Sequence, residues 1–320
     1  SPMDALSDVL RAANLTGGVF LHAEFSAPWC VGMRITGELC APFLGRTAHL
    51  IPYHYVVEGE PFVALEGGEP RRLRSGEIVL FPRNDPHVMG SDLGLSPVSS
   101  KDIIRPPVGG ELFSIRHGGG GAPARLICGF LGCESRRGNP VVTTLPAVMS
   151  LKVDETGPGE WIRSTFRYAA DEVARHRPGA ETVLAKLSEL IYVETVRRYV
   201  EVMPAEQTGW LAGLRDPVVA RTLALMHGDI ARSWSMEELG REAGLSRSAL
   251  ADRFTRLIGM APMHYLTQWR LQVAAQKLKD RSLSLAQVAA LVGYESEAAF
   301  SRAFKKTYAS APGTWRRAND

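Results

Sequence analysis

Two stretches near the C-terminus, GLSRSALADRFTRLIGMAP (244–262) and GYESEAAFSRAFKKTYASAP (293–312), decide the fold of this end of the chain, because they are copies of one unit. Leu250 answers to Phe300, Phe254 to Phe304, Gly259 to Ala309 and Pro262 to Pro312. Gly244 aligns with Gly293, and Ser246 with Ser296 once the second turn is allowed one extra residue. A short amphipathic segment precedes each copy, at 236–243 and 285–292, so the unit reads as helix, glycine turn, helix. Ser246 and Ser296 stand where a helix N-cap belongs, with hydroxyls able to accept from free backbone N–H groups. Leu250, Phe254, Leu257 and Ile258 recur at helical spacing and face inward in the first copy; Phe300, Phe304 and Tyr308 do so in the second. The outward residues are then Arg247, Ser248, Ala251 and Asp252 in one copy and Glu297, Ala298, Ser301, Arg302 and Lys305 in the other. Between the copies, Leu271, Ala274, Ala275 and Leu278 mark a connecting helix over 267–280.

The chemistry of those outer faces suits double-stranded DNA. A helix that enters a major groove needs small residues early, polar side chains toward base edges and Lys or Arg beside the phosphates. Charge supports this: residues 214–320 carry 16 Lys+Arg against 10 Asp+Glu, while the rest of the chain carries 21 against 24. A helical bundle with solvated basic faces is the plainer alternative for a single unit, and the repeat weighs against it. Arg247, Arg253, Arg256, Arg302, Lys305 and Lys306 are the expected sources of phosphate affinity.

A length of 320 residues suits two domains. Residues 1–145 read as β, with short apolar runs such as 18–25, 53–57, 61–65 and 77–81 separated by Gly, Pro and Asp/Asn clusters. Residues 146–208 read as a helical linker with long candidates at 161–174 and 182–200; the Leu187, Leu190, Ile191, Glu194 stripe serves either core packing or a dimer interface. Residues 209–320 read as short helices throughout. Four cysteines are too few for a disulfide scaffold, and there is no apolar run of membrane-spanning length. The N-terminus lacks a basic segment followed by an apolar one, so the expected setting is the cytoplasm.

On these residues, 210–320 resembles the C-terminal domain of the AraC/XylS family of bacterial transcription regulators. The stretches that carry the resemblance are 234–278 and 285–316, with Gly293-Tyr294-x-Ser296-x3-Phe300-x3-Phe304-Lys305 and Pro262-x2-Tyr265-Leu266 as hallmarks. The resemblance implies two recognition helices in successive major grooves. Asp252 stands where relatives often carry a basic residue, and Ala309 replaces the usual glycine. GEIVLFPRNDPH (76–87) resembles the second motif of cupin barrels, with Asn84 in the glycine place. HYVVE (54–58) resembles the end of the first motif, with Pro52 where metal-binding cupins carry histidine. The implied architecture is multidomain: an N-terminal cupin-like β-barrel, a helical linker and an all-α domain with two helix-turn-helix motifs.

The implied function is sequence-specific transcription regulation, activation being the expected sign, with promoter DNA and RNA polymerase as partners, a homodimer as a candidate assembly and no enzyme activity. The cupin-like domain would sense a small molecule, a metal or an oxidant. His54, Glu58 and His87 are the candidate ligands for Zn²⁺, Ni²⁺ or Fe²⁺, with His22 and His49 as further histidines. Trp29, Phe43 and Tyr53, with His54 and His87, are candidates for an effector pocket, or for barrel core. Cys30, Cys40, Cys128 and Cys133 offer either a redox-active thiol or inert buried ones. The competing functions are a metal-dependent cupin enzyme joined to a DNA-binding domain, and an architectural DNA binder with an inert barrel.

Overall fold

The computed structural model describes residues 5–12, 15–17, 20–36, 49–106, 113–133, 140–152, 160–161, 164–166, 168, 179–204 and 206–318. Helix α1 (Ala5–Ala12) opens the chain. Eight strands follow: β1 (Phe20–Ser26), β2 (Cys30–Met33), β3 (His49–Glu58), β4 (Phe62–Leu65), β5 (Arg71–Arg72), β6 (Glu77–Leu80), β7 (His87–Gly90) and β8 (Val98–Ser99). After the short α2 (Ser100–Ile103) come β9 (Ile104–Arg105), β10 (Phe113–Gly118) and β11 (Pro123–Cys133), then α3 (Pro140–Thr144), β12 (Met149–Lys152) and the long α4 (Ala180–Val202). The rest is helical: α5 (Trp210–Gly213), α6 (Pro217–Gly228), α7 (Met236–Ala243), α8 (Arg247–Ile258), α9 (Pro262–Lys277), α10 (Leu285–Leu291), α11 (Glu297–Tyr308) and α12 (Pro312–Ala318). The expected β domain followed by an all-α domain with two helix-turn-helix units is the observed architecture.

Two compact units divide these elements, and they do not follow chain order. The β unit comprises 14–137 and 145–201; α1, α3 and the chain from 202 onward make the helical unit. In the β unit one sheet runs β12-β6-β3-β11-β1-β10-β9 and the other β5-β4-β7-β2-β8. Phe25, Trp29, Val31, Val56, Val79, Phe81, Ile115 and Leu126 fill the space between strands, with Trp29 stacked on Phe25 at 3.9 Å. Strand β3 is buried on both faces because α4 and Phe166 cover its outer side: Tyr55 stacks on Phe166 at 4.2 Å, and Tyr53 hydroxyl meets Ser188 Oγ at 3.1 Å. The α4 face that packs inward is Ser188, Ile191, Tyr192, Thr195 and Val196, leaving Leu190 exposed. Core packing therefore takes Ile191 from the stripe read in the sequence, and Leu190 stands outside it. The 161–174 helical reading falls largely outside the described residues; 160–161, 164–166 and 168 are helical.

In the helical unit α9 is the spine. Tyr265, Leu266 and Trp269 are buried toward its start and Leu271, Ala274, Ala275 and Leu278 toward its end. The second group joins Val288, Phe300 and Phe304 in one core. Trp210 Nε1–H donates to Tyr265 hydroxyl at 2.7 Å, and that hydroxyl meets His227 Nε2 at 2.8 Å, so these three buried polar atoms satisfy one another. No helix among the described residues is long and apolar enough to cross a membrane.

Candidate nucleic-acid interface and sensor cavity

Both helix-turn-helix units are built by the same local chemistry. Ser235 and Glu238 form a reciprocal capping box at the start of α7, and Ser284 and Gln287 form its counterpart on α10. The turns pass through Gly244 at φ 74° and Gly293 at φ 82°, a left-handed backbone that glycine adopts without cost. Leu245 N–H then donates to Gly240 carbonyl, and Tyr294 N–H to Ala289 carbonyl, both at 2.9 Å. Ser246 and Ser296 cap α8 and α11 by accepting from Ala249 N–H at 3.3 Å and Ala299 N–H at 3.2 Å. Leu250, Phe254 and Ile258 face the core in α8, as Phe300 and Phe304 do in α11.

The outer faces carry most of the expected readers. Arg247, Ser248, Asp252 and Arg256 are exposed on α8, with Ala251 half-buried beside them. Glu297, Ala298, Arg302, Lys305 and Lys306 are exposed on α11, with Ser301 half-buried. Arg247 Nη1 lies 2.9 Å from Glu237 Oε1, an exposed pair that water screens. Arg253 is placed differently from the rest: its guanidinium grips Asp216, with Nε 2.9 Å and Nη2 2.7 Å from Oδ2. Asp216 in turn caps α6, accepting from Val218 and Val219 N–H. Burial pushes the Asp216 carboxyl up, but the Arg253 and backbone hydrogen bonds outweigh it and hold the group below its ordinary value. The Asp216-Pro217 pair is itself a helix-start signal. Sequence reasoning also missed Arg270 on α9, which donates from Nε to Ile230 carbonyl at 2.9 Å and from Nη2 to Arg232 carbonyl at 2.7 Å.

In the β unit His54 and His87 meet inside the fold, Nε2 to Nε2 at 2.9 Å, both buried. Phe81 stacks on His87 at 3.6 Å, and Asn84 takes the left-handed backbone (φ 56°) that the glycine of the resembled motif would. Glu58 is not beside them. A register shift between β3 and β11 at Arg125/Leu126 accompanies an exposed Val57, and Glu58 pairs instead with Arg125 Nε. Among the described residues no three His, Cys, Asp or Glu side chains are grouped to hold a metal ion, so His54, Glu58 and His87 do not form a ligand set. His22 sits half-buried near Glu24, and His49 Nε2 meets Pro82 carbonyl at 2.6 Å.

A cavity of about 620 Å³, its open mouth included, lies in the same unit. His54 lines it; Trp29, Tyr53 and His87 are not among its lining residues. Tyr53 follows the opposite side of β3 from His54, as the period of two along a strand requires. Cys30, Cys128 and Cys133 are buried, and burial pushes the Cys30 and Cys128 thiols up, the direction that disfavours thiolate. Cys40 and Phe43 lie outside the described residues.

A cupin family model matches residues 4–201, and a helix-turn-helix domain model matches 239–318. A putative AraC-like transcription regulator of Streptomyces lividans is 33% identical over 98% of this chain and 98% of its own length. Another from Streptomyces antibioticus is 32% identical over 98% and 99%. The HTH-type transcriptional regulator AlkR of Acinetobacter baylyi is 28% identical over 98% and 99%.

Proposed function

The chain belongs to the AraC-like transcription regulators, DNA-binding proteins with a cupin-type N-terminal domain, and from that premise we propose how its residues divide the work. Helices α8 and α11 enter successive major grooves of promoter DNA. Arg247, Ser248, Ala251 and Asp252 meet base edges on one, and Glu297, Ala298, Ser301 and Arg302 on the other, while Arg256, Lys305 and Lys306 reach phosphates. The β unit takes up an effector, and its occupancy changes how the DNA-binding unit engages the promoter and RNA polymerase, with activation as the outcome. A homodimer working in the bacterial cytoplasm completes the reading. Arg253 is left out of the DNA contacts, because its guanidinium is held by Asp216, the residue that caps α6.

The observation that carries this reading is the equivalent construction of the two helices: with identical serine caps and core phase, both expose their N-terminal halves to solvent. The enzyme alternative has no such support, since Glu58 is turned to Arg125 and the two histidines bond to each other. Gel-shift titration on the protein's own operator tests the assignment. Arg302→Ala is expected to weaken specific binding by about 1–3 kcal/mol and to relax one position of the site. Lys305→Ala is expected to weaken all sequences alike and to lower the salt slope by about one. Unchanged operator affinity in Arg302→Ala would overturn its role as a base reader.

A further inference from the structure

The cavity of the β unit is apolar around almost its whole wall, with Met33, Ile115 and Phe130 among its lining, and among the described residues no Lys, Arg, Asp or Glu reaches it. The residues with polar side-chain atoms in its lining are Ser100, Cys128 and His54. Ser100 can donate or accept as it rotates and so sets no preference. His54 does set one, and its neighbour decides which.

His87 Nδ1 lies 3.1 Å from Asp85 carbonyl oxygen. A carbonyl only accepts, so Nδ1 carries the hydrogen and Nε2 of His87 is left with its lone pair. His54 Nε2, 2.9 Å away, must then be the donor. This leaves Nδ1 of His54 as a bare acceptor, buried and without a hydrogen-bond partner among the described residues. Burial keeps both rings neutral: it holds His54 well below its ordinary value, reinforced by His87, and brings His87 down to about 4 against the smaller pull of Asp85 carbonyl.

We propose that this cavity binds an uncharged, mainly apolar molecule carrying one hydroxyl, an aliphatic alcohol or a phenol, whose O–H donates to His54 Nδ1. The proposal rests on the reading of the β unit as the sensor and adds the chemistry of its ligand. A carboxylate brings negative charge to a wall with no cation and a lone pair to a lone pair. A ketone fits the apolar wall but leaves the histidine nitrogen unpaired, and a buried unpaired acceptor costs affinity.

Calorimetric titration of the full chain with 1-octanol, 2-octanone and octanoate at neutral pH tests it. One octanol per chain is expected, about tenfold tighter than the ketone or the carboxylate. His54→Phe is expected to bring octanol to the ketone's level and to leave the ketone where it was. Because that variant also removes the contact to His87, the imidazole ¹⁵N spectrum of the unaltered protein provides a second measurement. Octanol should shift His54 Nδ1 in the direction of an accepted hydrogen bond, and octanone should not. Equal binding of the three probes, tighter binding of octanoate, binding of none, or an unmoved Nδ1 resonance with octanol bound overturns the proposal. Operator affinity measured alongside separates it from the sensor reading. Octanol bound as described with operator affinity unchanged supports the cavity chemistry and sinks the sensor role.

Discussion

The two helix-turn-helix units share a backbone and differ in how their residues are used. Ser235 with Glu238 and Ser284 with Gln287 start them alike, and Ser246 and Ser296 cap the recognition helices alike. Their cores and outer faces diverge. Behind α8, among the described residues, stands one aromatic contact, Phe254 to Tyr265 at 5.8 Å, whereas Phe304 in α11 sits among Phe300, Tyr308 and Trp315 at 5.5, 4.5 and 5.9 Å. On the outside, Arg247 and Arg253 of α8 are paired with Glu237 and Asp216, while Arg302, Lys305 and Lys306 of α11 make no ion pair among the described residues. The lesson is that caps and core phase specify the unit, and the residues left over divide between holding the domain together and facing solvent.

The largest effects should come from the cores. Phe254 and Phe304 are fully buried, so truncation of either to alanine is expected to cost about 3–5 kcal/mol in denaturant unfolding and to abolish operator binding. If ring contacts add to area, Phe304→Ala falls at the upper end of that range. Equal losses would show that the aromatic cluster of the second unit adds nothing beyond burial.

A smaller effect separates the two kinds of arginine. Arg253→Ala is expected to cost about 1–2 kcal/mol of stability, since it leaves Asp216 largely buried without its partner, in a site too exposed for the full value of a buried pair. Its salt slope on DNA should match the parent. The pH dependence follows from Asp216. Its carboxyl is held below the ordinary 3.8, so its contribution is present above that pH and is lost as the pH falls through the lowered value. Acid unfolding should therefore be less steep in Arg253→Ala. A reduced salt slope would instead return Arg253 to the phosphate contacts.

Most of the helical unit was legible because its signals are local. Serine caps, glycine turns and apolar spacing act within a turn or two, and the repeat doubled each of them. The pairing of Arg253 could not be read beforehand, because its partner lies at position 216 and nothing within its own helix announces a tertiary pair. For the same reason, α1 and α3 gave no hint that they belong to the helical unit: Gln276 donates to Ala12 carbonyl at 3.2 Å across most of the chain. In the β unit the meeting of His54 and His87 follows from the resembled motifs, whereas Glu58 was lost to a one-residue irregularity that reverses sidedness beyond Val56. Tyr53 could have been separated from His54 by strand alternation alone. The tautomer of His54 was out of reach, because it depends on a carbonyl two residues from His87 in space and sequence.

The finest difference between the units is at their ends. Gly259 closes α8 at φ 84°, and Ala309 closes α11 at φ 54°, the same left-handed cap made by a residue with a Cβ. The replacement of glycine read in the sequence therefore kept the left-handed backbone at the helix end; it left the second unit with a local cost that the first avoids. A left-handed alanine costs about 1 kcal/mol relative to glycine. Glycine also loses more backbone freedom on folding, which offsets part of that gain. Ala309→Gly should raise stability by about 0.5–1 kcal/mol, and Gly259→Ala should lower it by a similar amount. A cavity or clash does not complicate the second change, since a Cβ at Gly259 meets no atom within 4 Å. Opposite signs from the two exchanges would show that the caps are equivalent. A loss in both would mean that the contacts of the Ala309 methyl outweigh its backbone strain.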